Sequence, residues 1–198
     1  MTVTGLFLKR KHGAPLEAVG SIACTGAGIT DSVRCAPFRQ ALIASKSVMA
    51  ECGLKPGDLS ENIIVDFDRL YELPSGTVIK IGEALLRLTF HCEPCKKILK
   101  LIDFDKIVHR RGVFGSFLFG GRISVGDKMV VTEEKLESIP YAVNERIRWH
   151  LKKRGGRAAA IDIAHAIGLP SSYARAMPRL VEKFLGARWQ TERALDDR

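Results

Sequence analysis

Short apolar runs separated by glycine and proline turns constrain the fold of this 198-residue chain more than any other sequence feature. The runs lie at Val3–Leu8, 15–22, 41–44, 59–65, Thr77–Ile81, 85–90, 112–121 and 129–131. Short apolar runs between turn signals predict β-strands. One short helix is predicted at 46–52, with Ser45 as its N-cap and Gly53 as its stop. Many short strands and few helices favour a closed or nearly closed β-barrel.

The character of the sequence changes at about residue 133. A charged connector at 133–137 is followed by three segments with helical periodicity. These segments cover 141–153, 158–167 and 171–185. Helices joined by short glycine-containing turns are typical of a helix-turn-helix. The sequence therefore predicts a mixed, mainly β fold, with a β-barrel domain with short helices at 1–132 and a small helical domain at 133–198.

The C-terminal segment is strongly basic. Between Ser138 and Arg188 there are ten Lys or Arg residues against three Asp or Glu, an excess of seven positive charges. Arg175, Arg179 and Lys183 recur every four residues, which places them on one face of a continuous helix. Such a stripe suits the phosphates of DNA. A solvated helix face is the alternative, and Pro178 would kink the helix that carries the stripe.

Composition narrows the class of protein. Hydrophobic residues make up 46% and charged residues 27%, the usual proportions of a globular protein. No apolar run reaches membrane-spanning length, and the N-terminus lacks a basic-then-apolar signal layout. The five cysteines show no secreted disulfide framework, so we expect a reducing, cytoplasmic setting. The net charge of +9 favours anionic partners.

A cysteine pair follows the strand predicted at 85–90. Cys92 and Cys95 are separated by Glu93-Pro94 and followed by two lysines. Pro94 cannot donate to a strand ladder, so it ends the strand and turns the chain at Cys95. Neighbouring positive charge lowers a thiol pKa, which makes Cys95 the predicted nucleophile and Cys92 its predicted resolving partner. Half of a zinc site and a buried structural pair are the alternatives.

Two loops are further candidates for a binding site. In the loop at 24–31, Gly26 and Gly28 permit close approach of a ligand. Glu61 and Asn62, side by side before an apolar strand, are candidates for a polar site. For the pair at 61–62, ordinary turn chemistry is an equally good interpretation.

An ordered set of short motifs resembles the MOSC domain, the module named after the C-terminal part of molybdenum cofactor sulfurase. The motifs are Gly28-Ile29-Thr30-Asp31, Arg39-Gln40, Leu59-Ser60-Glu61-Asn62-Ile63, Ile81-Gly82-Glu83-Ala84, Cys92-Glu93-Pro94-Cys95, Arg111-Gly112-Val113, Gly120-Gly121-Arg122-Ile123 and Gly126-Asp127. The resemblance spans about residues 3–132, roughly two-thirds of the chain. It departs from the common pattern around Asp31, where the family often has Gly before the aspartate and His shortly after it.

The resemblance implies a β-barrel with a functional cysteine at Cys95. In this family that thiol is proposed to carry sulfane sulfur as a persulfide, or to ligate molybdenum in members that bind molybdopterin. The resemblance then places Asp31, Arg39, Glu61 and Asn62 around a cofactor pocket. It implies that Arg39 pairs with a phosphate or carboxylate there, since its planar fork of donors matches two oxygens at once. It also implies molybdenum-ion binding and pyridoxal phosphate binding as functions of such domains. The expected activity is sulfur carriage or transfer, or molybdenum-cofactor-dependent redox chemistry.

The expected partners follow from these alternatives. A sulfur carrier needs a sulfur donor, such as a cysteine desulfurase, whereas a redox enzyme needs a small-molecule substrate. A different class is DNA binding or ligand sensing through the C-terminal domain. The segments 139–141, 161–170 and 174–176 resemble the winged-helix part of the DNA alkyltransferases that repair O6-alkylguanine. No cysteine follows Cys95, so only a binding role is implied there.

Overall fold

The computed structural model describes residues 1–33, 35–186 and 190–192, the last of these by their backbone only. Arg188, which contributes to the basic excess described above, lies outside the described residues. The chain divides into two compact units. The first contains residues 1–35 and 39–138, and the second contains residues 36–38 and 139–198. The boundary predicted at 132/133 remains a prediction.

The first unit is built from eleven strands among its described residues. They are β1 (Val3–Leu8), β2 (Glu17–Ala18), β3 (Ser21–Thr25), β4 (Gly28–Ile29), β5 (Ala41–Ser45), β6 (Ile63–Val65), β7 (Thr77–Ile81), β8 (Ala84–His91), β9 (Val113–Phe119), β10 (Gly121–Ser124) and β11 (Met129–Lys135). Two short α-helices accompany them, α1 (Lys46–Glu51) and α2 (Phe104–Ile107). Single 3₁₀ turns lie at Asp68–Glu72 and Ile98–Lys100, and another at Pro37–Arg39 bridges the two units' sequence ranges. The predicted mixed fold dominated by sheets is thus confirmed.

The main sheet has eight strands in the order β11-β7-β8-β9-β5-β6-β1-β2. All neighbours are antiparallel except the parallel pair β5 and β6, in which Ile43 lies opposite Ile63. A second sheet has the order β10-β3-β4. Among the strands described, the ladder does not close into a barrel, so the predicted closed barrel is wrong. One isolated bridge, between Thr2 and Lys128, joins the start of β1 to the segment before β11.

Alternation along the strands divides the interior between two apolar clusters. Leu6 and Leu8 of β1 belong to the larger cluster, which also holds Ile79 of β7. Phe7, between them, belongs to a smaller cluster with Met49 of α1. Successive strand side chains point to opposite faces, so a single strand contributes to both clusters. The main sheet is therefore buried on both faces along this strand.

Two predicted elements of the first unit are corrected by the structure. The run predicted as one strand at 15–22 is split into β2 and β3, with Val19 and Gly20 between them. The charged connector predicted at 133–137 is in part strand, since β11 continues to Lys135, which pairs with Thr77. Its charged side chains are exposed. Because the segment has no alternation of apolar and polar residues, the sequence does not reveal this part of the strand.

The second unit packs three helices around one apolar cluster. The helices are α3 (Val143–Lys153), α4 (Ala160–Ala166) and α5 (Met177–Leu185). Ile147, Ile163 and Val181, one from each helix, are buried together. Two short parallel strands, β12 (Arg157–Ala159) and β13 (Gln190–Glu192), were not predicted. The helix-turn-helix arrangement and the likeness to alkyltransferases remain predictions.

The third predicted helix, 171–185, is interrupted. Residues Ser171–Ala176 form a 3₁₀ segment, and α5 begins only at Met177, with Pro178 in its first turn. Proline is compatible with the start of a helix but not with its interior, where it removes a hydrogen bond and clashes with the preceding turn. Arg175 therefore lies outside α5, and the predicted three-residue stripe is reduced to Arg179 and Lys183 on that helix. Within the described residues, no helix has the length and apolar character needed to cross a membrane.

Candidate functional site

The candidate site is centred on the loop that follows β8. The ladder ends where the Cys92 N–H donates to the Gly112 carbonyl at 2.8 Å. Pro94 follows, and the chain then turns into the 3₁₀ segment Ile98–Lys100. The Leu99 N–H donates to the Cys95 carbonyl at 3.1 Å, so Cys95 lies at the start of this turn with its thiol exposed. The turn predicted at Pro94 and the exposure that a nucleophile needs are both present.

The Cys95 thiol has a lowered pKa. Partial burial is the largest single influence and raises the pKa. The backbone N–H groups of Ile98 and Lys97 and the guanidinium of Arg111 together outweigh that influence, so the net pKa lies below the ordinary value of a thiol. Hydrogen-bond donors and positive charge favour the thiolate over the thiol. Arg111 thus supplies charge stabilisation that the sequence analysis assigned to the adjacent lysines.

Arg111 is held at the site by two backbone carbonyls. Its Nη1 donates to the Glu93 carbonyl at 2.6 Å, and its Nη2 to the Leu59 carbonyl at 3.4 Å. Gly112 follows with a φ of 145°, and a Cβ there would lie 2.7 Å from Leu42 Cδ1. Only glycine allows this approach of the chain to β5. The role of Arg111 is not visible in the sequence, where it is only part of a motif, because its partners lie 18 and 52 residues away in the chain.

Arg39 lies against the same loop. Its Nη2 is 2.8 Å from Glu93 Oε2, and the two side chains are 22% and 31% exposed. The guanidinium carbon lies 4.5 Å from the centre of the Phe114 ring, a cation–π contact. Glu93 therefore connects both arginines, through its carboxylate to Arg39 and through its carbonyl to Arg111. The arrangement orients two guanidinium groups beside the cysteine loop.

Both arginines line a cavity of about 170 Å³. Its other lining residues are Lys9, His12, Ser32, Val33, Cys35, Gln40, Leu42, Leu59, Ser60, Asn62, Cys92 and Phe114. Three of the lining side chains are cationic and none is acidic, so the cavity suits an anion. Cys95 is not among the lining residues. Arg111 links the two features, because it lines the cavity and its charge also lowers the pKa of the Cys95 thiol.

Cys92 is a wall of the cavity rather than an exposed thiol. It is 3% exposed, and burial raises its pKa to about 11. Burial also raises the pKa of Cys35, which lines the same cavity. Both groups are therefore thiols at neutral pH. The role of Cys92 as a resolving partner remains a prediction, and as a thiol it is far less reactive than Cys95.

Asn62 lines the cavity and also fastens two strands together. Its Oδ1 accepts the Leu42 N–H at 3.0 Å, and its Nδ2 donates to the Phe7 carbonyl at 3.3 Å. Its backbone carbonyl accepts the Phe7 N–H at 2.9 Å. These bonds tie the residue that precedes β6 to β5 on one side and to β1 on the other. The side-chain amide is thus already engaged by the protein.

Glu61 and Asp31 lie apart from the cavity lining. Glu61 is fully buried, its Oε1 accepts the Gly57 N–H, and burial raises the pKa of its carboxyl. This geometry favours the alternative of turn chemistry for Glu61. Asp31 is exposed in a turn, with a φ of 60°. The structure therefore brings Arg39, Asn62 and Arg111 together, and it does not bring Asp31 or Glu61 to the same cavity; their cofactor-binding roles remain predictions.

The residues present are compatible with a cofactor that contains a soft metal and an anionic tail. The metal would take one protein thiolate as its ligand. Within the described residues, no three His, Cys, Asp or Glu side chains converge as a metal cluster. Cys95 offers one exposed thiolate, the type of ligand that soft metals take. The Nε atoms of Arg39 and Arg111 are buried and have no acceptor among the described residues. A phosphate in the cavity would supply oxygens to such donors.

The predicted nucleic-acid contacts lie on the second unit. Arg175, Arg179 and Lys183 are all exposed. On α5, Met177 and Val181 are buried on the opposite face. Two of the three cations thus share the solvent face of one helix, and Arg175 precedes it in the 3₁₀ segment.

Comparison with known proteins identifies one matching domain and several similar folds. Residues 33–130 match the MOSC domain. The fold is similar to that of YuaD from Bacillus subtilis, with a TM-score of 0.57 at 17% identity over 69% of this chain and 98% of YuaD. It is also similar to YiiM from Escherichia coli (TM-score 0.53, 18% identity, 96% of this chain and 100% of YiiM) and from Geobacillus stearothermophilus (0.56, 16%, 91% and 98%).

The comparison with curated proteins gave no match. At these identities the structural likeness shows a shared fold, while the family match rests on the sequence itself. The matched range contains the cysteine loop, Arg39 and Arg111. The chain therefore contains a MOSC domain, at residues 33–130.

Proposed function

We propose that this protein handles sulfur through Cys95, which accepts a sulfane sulfur and passes it on as a persulfide. The observation that carries the proposal is an exposed thiol whose pKa is lowered by two backbone N–H groups and by Arg111. A thiolate is the nucleophile in sulfur exchange, and exposure lets a donor reach it. The other thiols described at the cavity have raised pKa values, so Cys95 is distinguished from them.

The proposed step needs no external oxidant. The Cys95 thiolate attacks the terminal sulfur of a donor persulfide and forms a new S–S bond. The donor's own S–S bond breaks, and the donor leaves as a thiolate. The Cys95 persulfide is anionic, and Arg111 with the N–H groups of Lys97 and Ile98 stabilises that charge as it stabilises the thiolate. The sulfur donor is a protein such as a cysteine desulfurase, or a small persulfide.

Molybdenum-cofactor chemistry is the alternative use of the same residues. Cys95 would hold the metal as a single thiolate ligand, while Arg39 and Arg111 would bind the phosphate of the pterin. When bound, such a cofactor supplies two-electron redox chemistry. Glu93 would keep both guanidinium groups in place, through its carboxylate and its carbonyl. Pyridoxal phosphate binding, also expected from the family, has no residue assigned to it and remains a prediction.

Persulfide mass spectrometry tests the proposal. The intact protein is incubated with glutathione persulfide, and each cysteine-containing peptide is weighed after blocking. We expect Cys95 to gain the mass of one sulfur atom, and Cys95→Ser to abolish the gain. Cys35→Ser is the matched control, since Cys35 is also exposed but has a raised pKa. An equal gain at Cys35 and Cys95, or none at Cys95, would overturn sulfur carriage.

Metal analysis separates the two uses of Cys95. Protein from a molybdate-supplemented host is assayed for molybdenum per chain, beside the Cys95→Ser variant. Near-stoichiometric molybdenum that is lost in the variant would favour the redox alternative. Absence of molybdenum with persulfide formation at Cys95 would favour sulfur carriage.

DNA binding is a second candidate function, for the second unit. The observation in its favour is that Arg179 and Lys183 lie exposed on α5 while its apolar face is buried. Phosphate contacts by such cations give affinity that falls steeply with salt. We expect duplex DNA to be retarded by the full chain at low salt, and Arg179→Ala with Lys183→Ala to weaken binding. No salt-sensitive retardation would exclude this function.

A further inference from the structure

One cavity in the described residues has no lining residue in the cysteine loop and is mainly apolar. It has a volume of about 520 Å³ and is formed beside β1, β2 and α1. Phe7, Met49, Leu54 and Ile64 form buried walls, and each is at most 9% exposed. The cavity volume lies within the range typical of sites for small organic ligands. Its walls belong to the smaller apolar cluster, so they are held by the core rather than by a mobile loop.

A second cavity, of about 290 Å³, lies beside the first. Phe7 and Pro56 line both cavities, so the two share part of their walls, and the pair is named the cleft. The second cavity is cationic: Lys9 and Lys97 line it, and Lys97 Nζ donates to Ser60 Oγ at 3.1 Å. None of its lining residues is acidic.

Three carboxylates directly follow, in the chain, residues that line this cationic end, and all three are engaged elsewhere. Glu17, next to Leu16, pairs with Arg10 at 2.6 Å. Asp58 Oδ2 accepts the Lys55 N–H at 2.7 Å, and Glu61 Oε1 accepts the Gly57 N–H. The two lysines therefore face an end of the cleft that carries positive charge beside a larger apolar chamber. This combination complements a molecule with an apolar body and one anionic group.

We propose that this cleft binds a small amphipathic anion, such as a medium-chain carboxylate. The apolar chain occupies the chamber walled by Phe7, Met49 and Ile64, and the carboxylate lies between Lys9 and Lys97. Burial of the chain supplies the affinity, and the lysines fix its direction. The site does not include Cys95 and does not depend on the sulfur chemistry proposed above.

Calorimetric titration of the full chain with decanoate tests the site. We expect saturable binding of one decanoate per chain. Ala50→Trp places a large side chain in the chamber from an exposed position, so the fold is retained and affinity falls by about tenfold or more. Lys97→Met lowers affinity by roughly three- to tenfold, because it removes one of the two charges at the carboxylate. Cys95→Ser leaves affinity unchanged.

Further measurements test which end of the cleft holds the carboxylate and whether the ligand is a free molecule or a bilayer lipid. Lys80→Met removes an exposed cation that lines none of these cavities and leaves affinity unchanged. Lys46→Met tests the charged residue lining the apolar chamber, and loss of affinity there in place of Lys97 would overturn the proposed direction. No saturable binding, or binding unaffected by Ala50→Trp, would overturn the site. Co-sedimentation with phosphatidylglycerol vesicles would instead indicate a bilayer lipid, whereas the proposal expects none.

Discussion

The end of β8 and the loop that follows it place two thiols three residues apart in opposite surroundings. Cys92 is inside the wall of a cavity, where burial dominates and raises its pKa to about 11. Cys95 is exposed, and donors from the following turn and from Arg111 lower its pKa. The same residue type thus has two chemistries, because a proline between them takes the chain out of the strand. Cysteine spacing alone does not reveal which thiol reacts.

Alkylation is expected to show the largest difference between these two regions. With a pKa near 11, Cys92 is ionised at pH 7 in about one molecule in ten thousand. A thiol whose pKa lies below the ordinary value of 9.0 is ionised at pH 7 in at least about one molecule in a hundred, so Cys95 should react with iodoacetamide at least about a hundredfold faster. Peptide mass spectrometry after timed quenching measures both sites in one sample. Equal alkylation rates at Cys92 and Cys95 in the folded protein would contradict the difference between their pKa values.

Replacement of Arg111 tests the cause of that distinction. Arg111→Met removes the charge that lowers the Cys95 pKa, so we expect the midpoint of the alkylation pH profile to rise and the rate at pH 7 to fall by roughly three- to tenfold. Arg110→Met is the matched control. Arg110 is the neighbouring residue, but it pairs with Glu51 instead. A midpoint that moves equally in both variants would assign the effect to general charge rather than to Arg111.

The sequence predicted the cysteine loop better than it predicted the wall of the cavity. Cys95 and the turn at Pro94 are local features, and strands such as Val3–Leu8 and Thr77–Ile81 were predicted with their observed limits because alternation is local. Arg111 reaches Cys95 only through the fold, and no periodicity marks it. The two-residue strands β2 and β4 are too short to show a pattern. What the sequence missed is therefore long-range or too short to repeat.

Glu61 is buried, as Cys92 is, and burial raises the pKa of both groups. The pH dependence of stability tests this effect at Glu61. Burial raises its pKa above the ordinary value of 4.5, so the folded state binds a proton more tightly than the unfolded state. The stability that this group contributes is present at low pH and is lost as pH rises from about 4.5 through the raised pKa. Glu61→Gln keeps an acceptor for the Gly57 N–H and should flatten this decline in urea denaturation. An unchanged pH dependence would show that Glu61 titrates as it does in the unfolded chain.

The smallest expected effect comes from the ion pair between Arg39 and Glu93. Its exposure lies between that of Cys95 in the loop and that of Cys92 in the cavity wall. Its side chains are 22% and 31% exposed, against 52% and 50% for the surface pair of Arg10 and Glu17. Surface pairs contribute at most about 1 kcal/mol, so Glu93→Gln should lower the free energy of unfolding by less than that, and Glu17→Gln by less again. Urea denaturation of both variants measures the order. Glu93 also orients Arg39 over Phe114. We therefore expect Glu93→Gln to weaken phosphate binding in the cavity as well as stability, and Glu17→Gln to leave phosphate binding unchanged. A reversal of this order would mean that Glu93 is no better at organising the cavity than an ordinary surface carboxylate.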